Sequence, residues 1–160
     1  MRFFDHALET MSPKAIEALQ IEKFRSMFKK IYGHNRFYTE KFDSAGIDHE
    51  AIQNVNDMAQ IPLTNKEELI KAQQDKPPFG SNATFPESAY SRFHQTSGTT
   101  GKPLRVLDTP ESWDWWGRCW GFVLTGAGLT ENDRLFVPFS FGPFIGFWAA
   151  LEGARIINTM

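Results

Sequence analysis

Between Thr96 and Pro103 the chain reads TSGTTGKP: four hydroxyl side chains, two glycines and one lysine within eight residues. Glycine tolerates positive φ and lets a backbone approach another group closely, so Gly98 and Gly101 free this segment to wrap around a ligand. Successive backbone N–H groups in such a turn form a concavity suited to an anion. Thr96, Ser97, Thr99 and Thr100 add short donors, and Lys102 adds a mobile positive charge. Many short donors plus one cation are what a polyphosphate requires. The spacing is not that of the common ATPase phosphate loop, which separates its glycines by four residues and continues Lys-Ser/Thr into a helix. Here two residues separate Gly98 from Gly101, and Pro103 follows Lys102. A plain hairpin turn would need neither the lysine nor the run of hydroxyls.

Such a loop needs rigid flanks. A strand is expected over 91–95 and another over 104–107. Thr109-Pro110 is a cap followed by a proline at the first helical position, and it opens a helix expected over 110–125. Trp113, Trp116, Trp120 and Leu124 fall on one face of that helix. A strand over 134–139, a helix over 144–152 and a strand over 155–158 complete the pattern. Strands alternating with helices argue for a parallel sheet with helices packed on it.

The first half is helical. Ser12-Pro13 starts an amphipathic helix carrying Ile16, Leu19, Phe24, Met27 and Ile31, which stops near Gly33. Phe37, Phe42 and Ala45 share the face of a shorter helix that Gly46 ends. Thr64 and Glu67 form a capping-box pattern ahead of Leu69 and Ile70. The loop DKPPFGSN, broken by Pro77, Pro78 and Gly80, separates a helical lead-in over 1–80 from a partial α/β nucleotide-binding subdomain over 81–160. The fold class is thus α/β: a helical lead-in, then the start of an alternating β/α sheet.

Composition narrows the function further. Hydrophobic residues at 41% and charged residues at 22% describe a globular chain rather than a disordered one. The net charge of −2 and the lack of any basic run exclude the electrostatic footprint of a nucleic-acid binder. Cys119 is the single cysteine, so no internal disulfide forms, and a reducing cytoplasm is expected. Its aromatic-rich surroundings suggest a small core filler. Asp5, His6 and Glu9 stand where a secretion signal needs an apolar stretch. The uncharged run over 135–151 reaches only the short limit of a membrane span, and Pro138, Gly142, Pro143 and Gly146 break it, so no membrane insertion is expected. The abundance of Phe, 15 residues, calls for a core, an apolar pocket or a partner surface, and nothing opposes a homodimer. His94, just before the loop, is read as a packed, hydrogen-bonded histidine rather than a catalyst.

TSGTTGKP resembles the phosphate-binding motif of the adenylate-forming superfamily, and lysine before the proline resembles its phenylacetate-CoA ligase branch. ETMSP, EALQIEKFRSMFKKIYGHNRFYTEKFDSAGI and IPLTNKEEL are similar to the helical lead-in of those ligases. RFHQTSGTTGKP places Arg92 and His94 as that branch does, and FSFGPFIGFWAALEGA resembles its aromatic-glycine segment. The resemblance implies ATP, Mg2+ and coenzyme A as cofactors and a small-molecule carboxylate as substrate, activated as an acyl-adenylate and passed to coenzyme A. It implies that Thr96, Ser97, Gly98, Thr99, Thr100, Gly101 and Lys102 hold the ATP phosphates and that Phe139, Phe141 and Phe144 line the acyl pocket. Phe139 and Phe141 stand where that branch often has tyrosine, which favours a more apolar acid. The ribose-binding aspartate, the metal-binding acid and the adenylation lysine of the family have no counterpart in this chain. The expectation is therefore the N-terminal piece of a ligase, inactive alone, with the C-terminal domain absent. An adenylate-forming enzyme with a non-CoA acceptor and a non-catalytic fragment remain the alternatives.

Overall fold

The computed structural model describes residues 2–48, 50–98, 101–139 and 142–160. The chain divides into two units, residues 11–87 and residues 1–10 with 88–160.

In the unit over 11–87, helix α2 (Pro13–Ile31) begins as its sequence dictates. Ser12 Oγ accepts from Ala15 N at 3.3 Å, and Pro13 takes a position whose N–H would have no helical partner. The short helix α1 (His6–Glu9) precedes it in the other unit. Helix α3 (Arg36–Ala45) ends at Gly46 in the left-handed region, φ 66°, which lets Ile47 N reach Phe42 O at 3.0 Å. These helices bury Phe28, Phe42 and Ile47 together, with Phe24, Ile31, Tyr38 and Ile61 around them. Helix α4 (Lys66–Asp75) starts one residue later than Thr64 suggests. Asn65 and Glu68, not Thr64 and Glu67, form the capping box, because Glu68 Oε2 accepts from Asn65 N at 2.8 Å and Asn65 Oδ1 from Glu68 N at 2.9 Å. Lys41 Nζ of α3 also reaches both Glu68 oxygens, at 2.8 and 2.7 Å. That pairing holds the Glu68 carboxyl below the usual range.

Asn35 is the most deeply buried polar residue described in this unit. Its Oδ1 accepts from Tyr38 N at 3.1 Å, and its Nδ2 donates to Asn82 O at 2.7 Å and Thr84 Oγ1 at 3.0 Å. Asn35→Ala removes a helix cap and takes the donor from the part-buried Asn82 carbonyl, so it should destabilise the chain by about 2 kcal/mol. Urea unfolding checks this, and a change under about 0.5 kcal/mol would contradict it.

In the unit over 1–10 and 88–160, β1 (Arg92–Gln95) pairs antiparallel with β2 (Arg105–Asp108), Arg92 opposite Asp108 and His94 opposite Val106. The parallel sheet expected here gives way to this hairpin. Its connection over 96–104 is shorter than the roughly dozen residues a parallel crossover needs. Helix α5 (Pro110–Gly126) follows, capped by Thr109 Oγ1 on Ser112 N at 3.1 Å. Helix α6 (Ala149–Ile156) packs on it.

Three expectations change in this region. The segment 134–139 forms no strand: Leu135 N donates to Met160 O at 2.8 Å, and Phe139 N turns back to Val137 O at 3.0 Å. A 3-10 turn (Ile145–Phe147) and α6 replace the helix over 144–152. The strand expected over 155–158 is the end of α6 and a turn, in which Asn158 has φ 59°. The branched residues there have β propensity, but helix packing overrides it: Ile156 Cδ1 sits 2.5 Å from where a Cβ on Gly117 would lie.

The buried face of α5 also differs from the tryptophan stripe. Trp113, Gly117, Gly121, Leu124 and Thr125 are buried, whereas Trp116 is exposed. Cys119 is exposed rather than a core filler, since Trp115, Cys119 and Val123 recur every fourth residue on the outer side of the same helix. Residues 2–10 cover part of the inner side: Phe4 packs edge-on to Phe122 at 4.9 Å, and Arg118 pairs with Asp5 at 3.3 Å. No helix among the described residues is long and apolar enough to cross a membrane.

Candidate phosphate-binding loop

The hairpin is closed at the mouth of the glycine loop by a single residue. Thr96 N donates to Leu104 O at 3.0 Å, and Leu104 N donates to Thr96 Oγ1 at 3.0 Å. Thr96 thus spends its hydroxyl oxygen on the loop stem, while its O–H hydrogen stays available to donate. Inside the stem, Gly101 N bonds Gly98 O at 3.0 Å. Gly98 has φ 69°, and a Cβ there would lie 2.9 Å from Pro103 Cγ and 3.1 Å from Gly101 O. Only glycine fits without strain. Ser97 and Lys102 are exposed, so both face solvent where a ligand can reach them. Thr99 and Thr100 lie outside the described residues.

The aromatic-glycine segment meets the stem directly: Gln95 N donates to Pro143 O at 2.8 Å. Trp148 Nε1 donates to Gly142 O at 2.7 Å and folds the segment back on itself. The Phe144 ring lies over Gly146, with Cε1 2.6 Å from a Cβ built there. Phe139 and Phe144 are 49% and 38% exposed in this chain. Phe141 lies outside the described residues. A groove of about 720 Å³ runs elsewhere, along α2, past Lys14, Glu22, Arg25 and Gln53.

Under the stem sits a group that the sequence did not reveal as a unit. His94 stacks on Trp113 with ring centroids 4.9 Å apart, and its Nε2 is 3.6 Å from Asp108 Oδ2. Asp108 Oδ1 accepts from Ser112 Oγ at 2.9 Å. His94 is packed as expected but makes no hydrogen bond among the described residues. The separation from Asp108 explains why: 3.6 Å is too long for one. The only hint in sequence was that His94 and Asp108 both flank the loop; their approach needs the strand register.

Burial holds the His94 imidazole below its ordinary value of 6.5; Asp108 opposes this shift and Arg92 adds to it. As pH falls below about 6.5, the unfolded chain takes up this proton before the folded one does. The His94 contribution to stability is therefore whole above that pH and declines below it. The urea midpoint should drop from about pH 7.5 to about pH 5.5, and His94→Gln should flatten the drop. Asp57 and Asp133 do not confuse the window. Backbone hydrogen bonds from Gln53 and Asn54 hold Asp57 below 3.8, and bonds from Thr130 hold Asp133 below it, so both act at lower pH. An equally steep drop in His94→Gln would refute the assignment.

The described chain is a helical lead-in, a hairpin around a glycine-hydroxyl loop and a following α5–α6 pair, and it is similar in sequence to part of several acid–CoA ligases. The relatives are phenylacetate-coenzyme A ligases: the chain is 33% identical over 152 residues to that of Escherichia coli (strain K12), covering 95% of this chain and 34% of the relative. It is 32% identical to that of Thermus thermophilus, covering 94% and 33%. The chain thus spans about a third of the length of these relatives. Among solved structures, a 2-hydroxyisobutyryl-CoA ligase in complex with 2-HIB-AMP and CoA superposes with a TM-score of 0.86 at 26% identity, covering 94% of this chain and 32% of that one. No family model matches the chain.

Proposed function

We propose that this chain supplies the phosphate-binding portion of an ATP-dependent acid–CoA ligase. In such a ligase a carboxylate attacks the α-phosphate of ATP, pyrophosphate leaves, and the thiol of coenzyme A then displaces AMP from the acyl-adenylate to give a thioester. The physical obstacle is charge, because an anionic carboxylate must approach a polyanion. Donors and a cation around the leaving pyrophosphate lower that cost. Ser97, Thr99, Thr100 and Lys102, with the backbone at Gly98 and Gly101, take that role, and Thr96 braces the stem and offers its O–H.

The observation that carries this reading is the Thr96–Leu104 clamp holding a loop whose Gly98 admits no side chain. Phe139, Phe141 and Phe144 are the proposed acyl contacts, and their lack of hydroxyls favours an apolar acid. Residues 1–80 are the lead-in and 81–160 the start of the nucleotide-binding subdomain, both within one larger domain. Among the described residues no cluster of three or more His, Cys, Asp or Glu is arranged to hold a metal. Mg2+ bound through the phosphates of ATP needs only one or two carboxylates, so it would enter with the nucleotide rather than sit in a cage of this chain's own.

Lys102→Ala in the full-length ligase should slow acid-dependent ATP–pyrophosphate exchange about tenfold, the loss of one exposed charge-assisted contact. Exchange at the wild-type rate would remove Lys102 from the clamp.

A further inference from the structure

Beneath the loop stem, four polar side-chain atoms have no hydrogen bond among the described residues: His94 Nδ1, His94 Nε2, Asp108 Oδ2 and Trp113 Nε1. The three residues are 4%, 6% and 5% exposed. Native structures rarely leave buried polar atoms so, and a cluster of them calls for a reason beyond packing. A phenylalanine at position 94 would stack on Trp113 equally well and carry no such cost.

Two features give the reason. Side chains alternate along a strand, so His94 shares a face with Thr96, the residue that closes the loop. At its other end, Asp108 is tied through Ser112 to the first turn of α5. Resting on the phosphate-loop reading, we infer that His94 is a positioning residue. By donating an Nε2 proton to Asp108 once an anion is bound, it would tie the loop stem to the start of α5 and so set where Thr96 and Ser97 are presented to a polyphosphate. Its Nε2 and Asp108 Oδ2, at 3.6 Å, need move only a few tenths of an ångström to bond. The stem can thus tighten as the loop takes up an anion. The charged groups facing the imidazole are Asp108, from β2, and Arg92, which also lies 5.6 Å over the Trp113 ring. Burial and Arg92 keep it neutral, as the Nε2–H donor role requires.

The experiment uses the 160-residue chain and inorganic tripolyphosphate as probe. Binding is followed by titration calorimetry for the wild type, His94→Phe and His94→Gln. Phenylalanine keeps the stacking and loses both nitrogens; glutamine places an amide N–H near the Nε2 position and loses the ring. The inference expects about tenfold weaker binding in His94→Phe, the loss of one hydrogen bond, and recovery to within about threefold of wild type in His94→Gln. A packing role predicts the reverse order. Wild-type affinity in His94→Phe, or His94→Gln as weak as His94→Phe, would overturn the inference and leave the phosphate reading standing. No binding by the wild type would overturn the phosphate reading, and the inference with it. A second measurement needs no variant: long-range 1H–15N spectra at about pH 7 must show His94 neutral with its proton on Nε2. A proton on Nδ1, or an imidazolium, overturns the inference even if both variants fail to fold.

Discussion

Gly98→Val should weaken tripolyphosphate binding by about 100-fold while leaving the fold intact. Two costs add. A non-glycine residue at φ 69° pays about 1–2 kcal/mol for its backbone alone. The new Cβ would then stand 2.9 Å from Pro103 Cγ, 3.1 Å from Pro103 Cδ and 3.1 Å from Gly101 O. Proline ring carbons cannot rotate away as a flexible side chain can. The loop must therefore open, and the Gly98 O to Gly101 N bond goes with it. A total near 3 kcal/mol corresponds to the roughly 100-fold loss, since about 1.4 kcal/mol is tenfold. The readout is calorimetry with tripolyphosphate, beside a circular-dichroism check that α5 and α6 persist. Retained affinity would mean that the anion binds without this backbone conformation.

The second large effect concerns the α5–α6 contact, where two glycines give opposite results. Gly117→Ala and Gly153→Ala each gain about 1 kcal/mol of helix propensity. At Gly117 the new methyl would meet Ile156 Cδ1 at 2.5 Å and Glu152 Cγ at 3.0 Å, both atoms of side chains that can swing aside. At Gly153 it would collide with Trp120 Cβ and stand 3.1 Å from the Trp120 backbone carbon, neither of which can move unless the helices separate. Gly117→Ala should stay within about 1 kcal/mol of wild type, and Gly153→Ala should lose about 3 kcal/mol net by overpacking. Urea unfolding of the two variants side by side measures the difference. Equal midpoints would show that the helices part more easily than their close approach suggests.

Much of the helical architecture was legible because caps are local. Ser12-Pro13, Thr109-Pro110 and Gly46 announce helix ends through bonds to residues only a few positions away. Thr64 misled because Asn65, its neighbour, is the better cap and has Glu68 at the right distance. Strands were less legible because a strand exists only with a partner. Residues 134–139 have the composition of one and lack the ladder, and Ile156 joins a helix because Gly117 makes room for it. The position of the loop between two strands was legible because glycine and proline interrupt two strand-forming runs. The group beneath it was not: nothing in the order of residues says that His94 and Asp108 share a face until the register Arg92 to Asp108 is known.

One bond carries a consequence for how the two ends of a reaction would communicate. Gln95, the last residue of β1, is tied by its N–H to the carbonyl of Pro143. The strand that delivers the hydroxyl loop and the ribbon that bears Phe144 therefore share a hinge pin. If acid docks on that ribbon and triphosphate on that loop, this bond is the route by which one would act on the other. Linkage then requires that each ligand change the other's affinity by one common factor.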